Sequence, residues 1–187
     1  MPELMIDVIT SLDGFSSAEG WPGLWGMGGP EYLAWLEEDA AGTHTILLGA
    51  TTYRLFAGFA EKGEEDMSGL TTMRKIVFSS TLEEPLTWAN TRLVSGDAVD
   101  AVRGMKQDDD TSLRTIGSLS LCRSLLTAGL VDRFRVVVFP VVNGASGRER
   151  FYAGWPDVAL ETVSHRTFDG RLQMMEFVPR VLDGPPA

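Results

Sequence analysis

Residues 116–144 read IGSLSLCRSLLTAGLVDRFRVVVFPVVNG. The stretch begins at the end of an apolar run, Leu113 to Ile116, which stops at Gly117-Ser118. From Leu119 to Ala128 the apolar residues recur at helical spacing, with Leu121, Cys122 and Leu125 on one side. Gly129 ends that helix, and Arg133 to Phe139 is a second apolar run closed by Pro140. Strand, sharp turn, helix and strand in this order make one unit of a parallel sheet with its helix laid on a face.

The same design occurs twice earlier, in ILLGATT (Ile46 to Thr52) and KIVFSST (Lys75 to Thr81). Each is an apolar strand that stops at small polar residues. Leu4 to Ile9, ending at Thr10-Ser11, makes a further strand, and Arg92 to Val94 a short one. Pro30 opens a helix to about Ala41, with Leu33, Leu36 and Ala40 as its apolar stripe and Glu37, Glu38 and Asp39 on the solvated side. Asp97 to Lys106 suits a helix, Gln107 to Thr111 an acidic loop, and Glu61 to Ser68 a polar surface excursion. Val158 to Arg166 and Leu172 to Val178 flank Phe168-Asp169-Gly170, a hairpin signal. Strand–helix units followed by strands alone predict a single α/β domain over residues 1–182. Its sheet is mostly parallel, with helices on both faces, an antiparallel hairpin at the C-terminal end and a disordered tail at 183–187.

The chain has 187 residues, 44% of them hydrophobic, and can bury a core of its own without disulfides or metal. Sixteen basic against 26 acidic residues leave a net charge of −10, which opposes binding to nucleic acid or to an anionic membrane. One cysteine and two histidines, His44 and His165, exclude a disulfide, a cysteine zinc cluster and a multi-histidine metal centre. The opening MPELMIDVITSLDG carries no basic segment ahead of a long apolar one, and no apolar run approaches the roughly 20 residues that span a bilayer. The expectation is a soluble, cytoplasmic protein without metal.

Parallel strands of an open α/β sheet bind ligands at their carboxyl ends, where helix N-termini offer free amides to phosphate. Gly49 and Gly117 allow close backbone approach there, and Thr51, Thr52, Ser118 and Ser120 offer hydroxyls. One such turn reads equally as a capped helix; three in series point to a phosphorylated cofactor. None matches a dinucleotide G-x-G-x-x-G or a P-loop. The glycine-rich segment at 12–29 carries Phe15, Trp21 and Trp25, which either face a ligand or pin the loop to the core. Asp13 fits an Asx turn or an acid–base role, and Glu31 fits the positive end of its helix. Cys122 reads as a core thiol.

SLDG at 11–14, LLGATTY at 47–53, KIVFSSTL at 75–82 and the 116–144 stretch occur in the order found in the dihydrofolate-reductase-like superfamily. Among its branches the chain most resembles stand-alone relatives of the reductase domain of the riboflavin-biosynthesis deaminase-reductase. The resemblance implies hydride transfer from NADPH. It assigns Gly49, Thr51 and Thr52 to the nicotinamide and phosphates, and Ser79, Ser80 and Thr81 to the adenosine side. Ile116, Gly117, Ser118, Leu119 and Ser120 fall to the pyrophosphate. Three positions depart from the pattern. Ala50 stands where a basic residue often meets the 2′-phosphate, and Tyr32 stands nearest the helix carboxylate of dihydrofolate reductases, with Glu31 one residue earlier. Arg148-Glu149-Arg150-Phe151 replaces a glycine-lysine ending.

The resulting expectation is an NADPH-dependent reductase of a small pterin- or pyrimidine-like, or otherwise unsaturated, substrate. Asp13, Trp25, Glu31, Tyr32 and Tyr53 would wall its substrate site, with Asp13, Glu31 and Tyr32 as candidate proton donors. The alternatives are a dinucleotide-binding protein without catalysis and a structural dimer without ligand. The Leu130–Phe139 region, apolar on both faces, reads either as a homodimer edge or as a strand buried in the sheet.

Overall fold

The computed structural model describes residues 2–63, 68–108 and 110–184. Residues 64–67 of the polar excursion, Asp109 of the acidic loop and residues 185–187 of the tail lie outside the described residues. In chain order the strands are β1 (Leu4–Ser11), β2 (Phe15–Ala18), β3 (His44–Gly49), β4 (Lys75–Phe78), β5 (Thr91–Val94), β6 (Ser112–Ile116), β7 (Arg133–Phe139), β8 (Gly147–Arg150), β9 (Val158–Phe168) and β10 (Leu172–Val181). The helices are α1 (Pro30–Ala40), α2 (Ala50–Glu61), α3 (Ser68–Thr72), α4 (Ala98–Asp108) and α5 (Leu119–Thr127). Among the described residues no helix is long and apolar enough to cross a membrane.

Eight strands form one sheet in the order β5-β4-β3-β6-β1-β7-β10-β9. The first six run parallel, and β10 is antiparallel to both β7 and β9. Alternate residues face opposite sides. Leu4, Ile6, Val8, Leu47 and Val136 pack with Val102 of α4 and with Leu121, Cys122 and Leu125 of α5. On the other face Ile46, Leu48 and Val77 pack under Tyr53 and Ala57 of α2, while Val137 and Phe139 pack under Tyr32 of α1.

Three expectations change here. The 12–29 segment is not all loop: Phe15–Ala18 is a strand that pairs antiparallel with Gly147–Arg150, bringing Phe15 opposite Arg150 and Ala18 opposite Gly147. A Cβ on Gly147 would lie 2.5 Å from the Phe15 ring, so the glycine is required, and the Arg150 guanidinium sits 4.6 Å from that ring's centroid. The departure at 148–151 is therefore a strand to Arg150 followed at once by a buried Phe151. Second, β7 is flanked by β1 and β10, so of the two readings of the Leu130–Phe139 region the buried strand holds and the dimer edge does not. The free edge at that side of the sheet is β9, whose residues 160–167 are all exposed. Third, the buried stripe of α1 is Tyr32, with Trp35, Leu36, Asp39 and Ala40 half-buried, whereas Leu33 is 40% exposed.

Asp39 turns inward because cations wait beneath it. Arg135, 5% exposed in the middle of β7, donates Nε and Nη2 to Asp7 at 3.0 and 2.5 Å, and Nη1 and Nη2 to Asp39 at 3.0 and 2.8 Å. Arg114 of β6 pairs with Asp39 as well, and the Trp35 ring lies over Arg135 at 4.6 Å. Burial pushes the Asp39 carboxyl up, but the Arg135 hydrogen bonds and the Arg114 and Arg135 charges outweigh it and hold its pKa below 3.8. Half-buried carboxylates paired in this way with a buried guanidinium depend on their cation.

Arg135→Leu should therefore cost about 3–5 kcal/mol and lower Tm by roughly 10 °C, read by calorimetry. Because the folded-state pKa of Asp39 is depressed, its share of stability is present above the ordinary carboxylate pKa and is lost as pH falls through the folded value. Urea titrations from about pH 6 down to about pH 3 should show a shallower acid loss in Asp39→Asn than in the parent. Parallel acid limbs in the two proteins would contradict the assignment.

Candidate functional site

The carboxyl ends of β3 and β6 are adjacent, because these strands pair in parallel with Leu47 beside Thr115. Each strand runs straight into a helix, β3 into α2 at Ala50 and β6 into α5 at Leu119. Two helix N-termini thus stand side by side. Among the described residues neither has a side-chain cap. α2 has Gly49 at its N-cap, and the Ser118 hydroxyl that could have capped α5 is used elsewhere. Ser118 Oγ accepts the Gly49 amide at 2.8 Å and donates to Thr52 Oγ1 at 3.0 Å, and the Ser118 amide donates to the same Thr52 oxygen at 3.1 Å. The amides at the two helix starts stay open to an anion.

This latch holds an uncommon backbone. Gly117 has φ +62° and Ser118 has φ +60° and ψ +60°, both left-handed. Ser118, a residue with a Cβ, stays there because three hydrogen bonds fix it. The Cys122 thiol, fully buried with its pKa pushed up to about 12 by burial, donates to Gly117 O at 3.0 Å. At the end of β4, Ser79 Oγ accepts the amides of Thr81 and Leu82 at 3.0 and 3.1 Å and closes a turn. Ser80 and Thr81 are exposed in it, and Arg54 of α2 reaches across to Thr81 Oγ1 at 3.3 Å. Arg74, by contrast, precedes β4 and lies at the opposite end of the sheet. The residues assigned to a dinucleotide, Gly49, Thr51, Thr52, Ser79 to Thr81 and Ile116 to Ser120, thus all lie at the carboxyl ends of three neighbouring strands.

The expected substrate walls do not converge in the same way. Asp13 is a clamp: its carboxylate accepts Ser11 Oγ at 2.7 Å and the amides of Asn143 and Gly144 at 3.1 and 3.0 Å. These bonds, that of Ser11 foremost, hold its pKa at about 2, so it carries no proton at neutral pH. Glu31 faces the hairpin turn, where its Oε2 accepts the Asp169 amide at 2.6 Å. Asp169 in return accepts the amides of Glu31 and Tyr32, capping α1 from 137 residues away. Gly29 is required for that approach, since a Cβ there would fall 2.2 Å from the Asp169 carboxyl carbon. Tyr53 belongs to the α2 cluster, its hydroxyl accepting the Thr87 amide at 3.0 Å.

Trp25 and Tyr32 do meet, but as core. Tyr32 is 1% exposed among Trp35, Phe139 and Phe168. Burial, then the Asp7 charge, pushes its hydroxyl pKa far up. Trp25, 5% exposed, lies against Phe139 with centroids 5.1 Å apart and donates Nε1 to Asn143 Oδ1 at 2.8 Å. Of the two readings of the loop aromatics, Trp25 follows the pinning one in this conformation. Asn143 was not foreseen. The sequence signal was a polar residue in the otherwise apolar PVVNG, directly after a strand.

Comparison with known proteins adds a family. The RibD C-terminal domain matches residues 2–174. An uncharacterized protein, YyaP, of Bacillus subtilis is 26% identical over 176 residues, which cover 88% of each chain. A pyrimidine reductase-like protein of Corynebacterium diphtheriae superposes with a TM-score of 0.67 at 14% identity, covering 96% of this chain and 92% of that one. The diaminohydroxyphosphoribosylaminopyrimidine deaminase/5-amino-6-(5-phosphoribosylamino)uracil reductase of Thermotoga maritima superposes with a TM-score of 0.64 at 16% identity. It covers 96% of this chain, which spans 57% of that longer one. At these identities the two superpositions speak for the fold.

The latch has a consequence of its own. Thr52→Val keeps the shape of the side chain but leaves the Ser118 amide and hydroxyl without their acceptor, at a cost of about 1–3 kcal/mol. Tm should fall by roughly 3–10 °C in differential scanning calorimetry. A change within 1 °C would mean that the left-handed turn holds without Thr52.

Proposed function

The chain belongs to the RibD C-terminal domain family, and on that premise we propose that it is an NADPH-dependent reductase of a small heterocyclic substrate. The observation that carries the reading is the pair of uncapped helix N-termini at the ends of β3 and β6, tied to each other through Ser118 and Thr52. In a molecule of net charge −10, this is where a dianionic pyrophosphate finds donors.

Gly49, Thr51, Gly117, Leu119 and Ser120 would hold the phosphates, and Ser79 to Thr81 the adenosine side. Arg54, beside Thr81, takes the place that Ala50 leaves without a cation and selects for the 2′-phosphate. When bound, the nicotinamide supplies the hydride. The protein binds and orients it and excludes water, and the 12–29 segment, anchored by the pairing of β2 with β8, would cover the site.

One observation favours a second reading, dinucleotide binding without turnover. Asp13 is held as a carboxylate, Glu31 faces the hairpin and Tyr32 is buried with its pKa raised, so none of the three is presented as a proton donor in this conformation. NADPH consumption with pterins, pyrimidinediones or quinones separates the two. A homodimer belongs to the proposal too, with β9 as its pairing strand; sedimentation equilibrium of the parent protein tests it, and a monomer at all concentrations removes it.

Thermal-shift titration with NADPH and NADH in parallel is the direct test. At about 100 times Kd, NADPH should add about 2.7 kcal/mol and raise Tm by roughly 5–10 °C. Arg54→Gln should weaken NADPH about tenfold, one charge-assisted contact of about 1.4 kcal/mol, and leave NADH unchanged. No shift with either nucleotide refutes the cofactor assignment.

A further inference from the structure

Asn143 is 6% exposed and anchored on three sides. Its amide donates to Asp13, its carbonyl accepts Ser146 N at 3.0 Å, and its Oδ1 accepts the Trp25 indole N–H. An indole nitrogen can only donate, so the carboxamide must turn its oxygen toward Trp25. That choice fixes the position of Nδ2, which is buried and, among the described residues, has no hydrogen-bond partner. A buried amide nitrogen left without an acceptor carries a desolvation cost that a fitting ligand would remove.

The group that satisfies half of this amide is itself held under strain. Leu24 and Trp25 both have left-handed backbones, φ +52° and +49°, which side chains with a Cβ rarely adopt. Two such residues in succession persist because the indole is buried on Phe139 and bonded to Asn143. Gly20 and Gly26, at φ +78° and +65°, bracket them and let the segment refold around that point.

We infer that the Trp25 indole occupies the seat of a planar cyclic amide, and that Asn143 is the side chain that recognises such a ring. A ring carrying –NH–C(=O)– offers its N–H to Oδ1, as the indole does, and its carbonyl to Nδ2, which the indole cannot. Paired donor and acceptor contacts from one carboxamide are selective for that edge. Trp25 is then an internal plug that a lactam displaces, packing against Phe139 in its place. The inference rests on the reductase reading for its consequence in turnover, but its test is binding alone.

The probes are lumazine, a planar bicyclic ring with such edges, and its N,N′-dimethyl derivative, which lacks both ring N–H groups. Titration calorimetry on the parent protein should show lumazine binding at least tenfold tighter than the dimethyl compound. Asn143→Asp keeps an acceptor for Trp25 but replaces the Nδ2 donor by an oxygen, and should weaken lumazine at least tenfold. Trp25→Phe removes the competing N–H and should tighten it roughly fivefold to tenfold. Equal affinity for the two probes, an unchanged Asn143→Asp, or no lumazine binding by Trp25→Phe would each overturn the inference. The NADPH thermal shift is recorded on every variant. It reports folding and separates the two ideas: lumazine binding without an NADPH shift defeats the reductase reading and leaves Asn143 standing.

Discussion

A guanidinium in the centre of a β-sheet is the constraint around which this molecule is arranged. Arg135 is on an interior strand, and its charge can be buried only if carboxylates come to it. Asp7 comes from the neighbouring strand, in register, and Asp39 from the last turns of α1. The second demand fixes the helix. With Asp39 drawn down onto Arg135 and Arg114, and Trp35 over the guanidinium, α1 has one rotation about its axis. Tyr32, two turns earlier, is carried to the sheet beside Phe139, and Glu31 is turned to the hairpin. The charged cluster thus decides what the start of α1 presents.

The two candidate regions are built by different physics. The proposed anion cradle is made of backbone, with amides at two helix starts held in place by hydroxyl-to-amide bonds between two loops. Its shape depends on the conformation of two residues, Gly117 and Ser118. The region under the 12–29 segment is made of side chains, chiefly aromatic rings. Its polar groups are few and share partners: Asp13, Asn143 and Trp25 form one connected set. A change at any one is felt by the others.

Most of the sheet was legible in the sequence because buried parallel strands are continuous apolar runs, and each here stops at glycine, serine, threonine or, for β7, at Pro140. The C-terminal hairpin was legible from Phe168-Asp169-Gly170, and Asp169 and Gly170 indeed take positive φ. Pairings between distant short segments were not. Phe15–Ala18 has four residues, and its partner lies some 130 positions on, so nothing local marks either as a strand. Asp39 was unreadable for a similar reason. On a helix three consecutive acids look like a solvated face, and only the arginines of two separate strands reveal that one points inward. The residues read as a cradle come together at three neighbouring strand ends because their signal is local, whereas the substrate walls depended on the direction of single side chains, which neither spacing nor resemblance supplies.

The cap on α1 carries a further consequence. Asp169 is the acceptor for the first amides of a helix that begins at Pro30, and β1, the first strand in chain order, has its neighbours at 112–116 and 133–139. A chain emerging from the ribosome therefore makes its first strand and first helix long before the residues that secure them exist. Contacts of such sequence separation slow folding and leave the early segments exposed meanwhile. The aromatic region, which includes Phe168, Leu172 and Met174, closes only when the β9–β10 hairpin arrives.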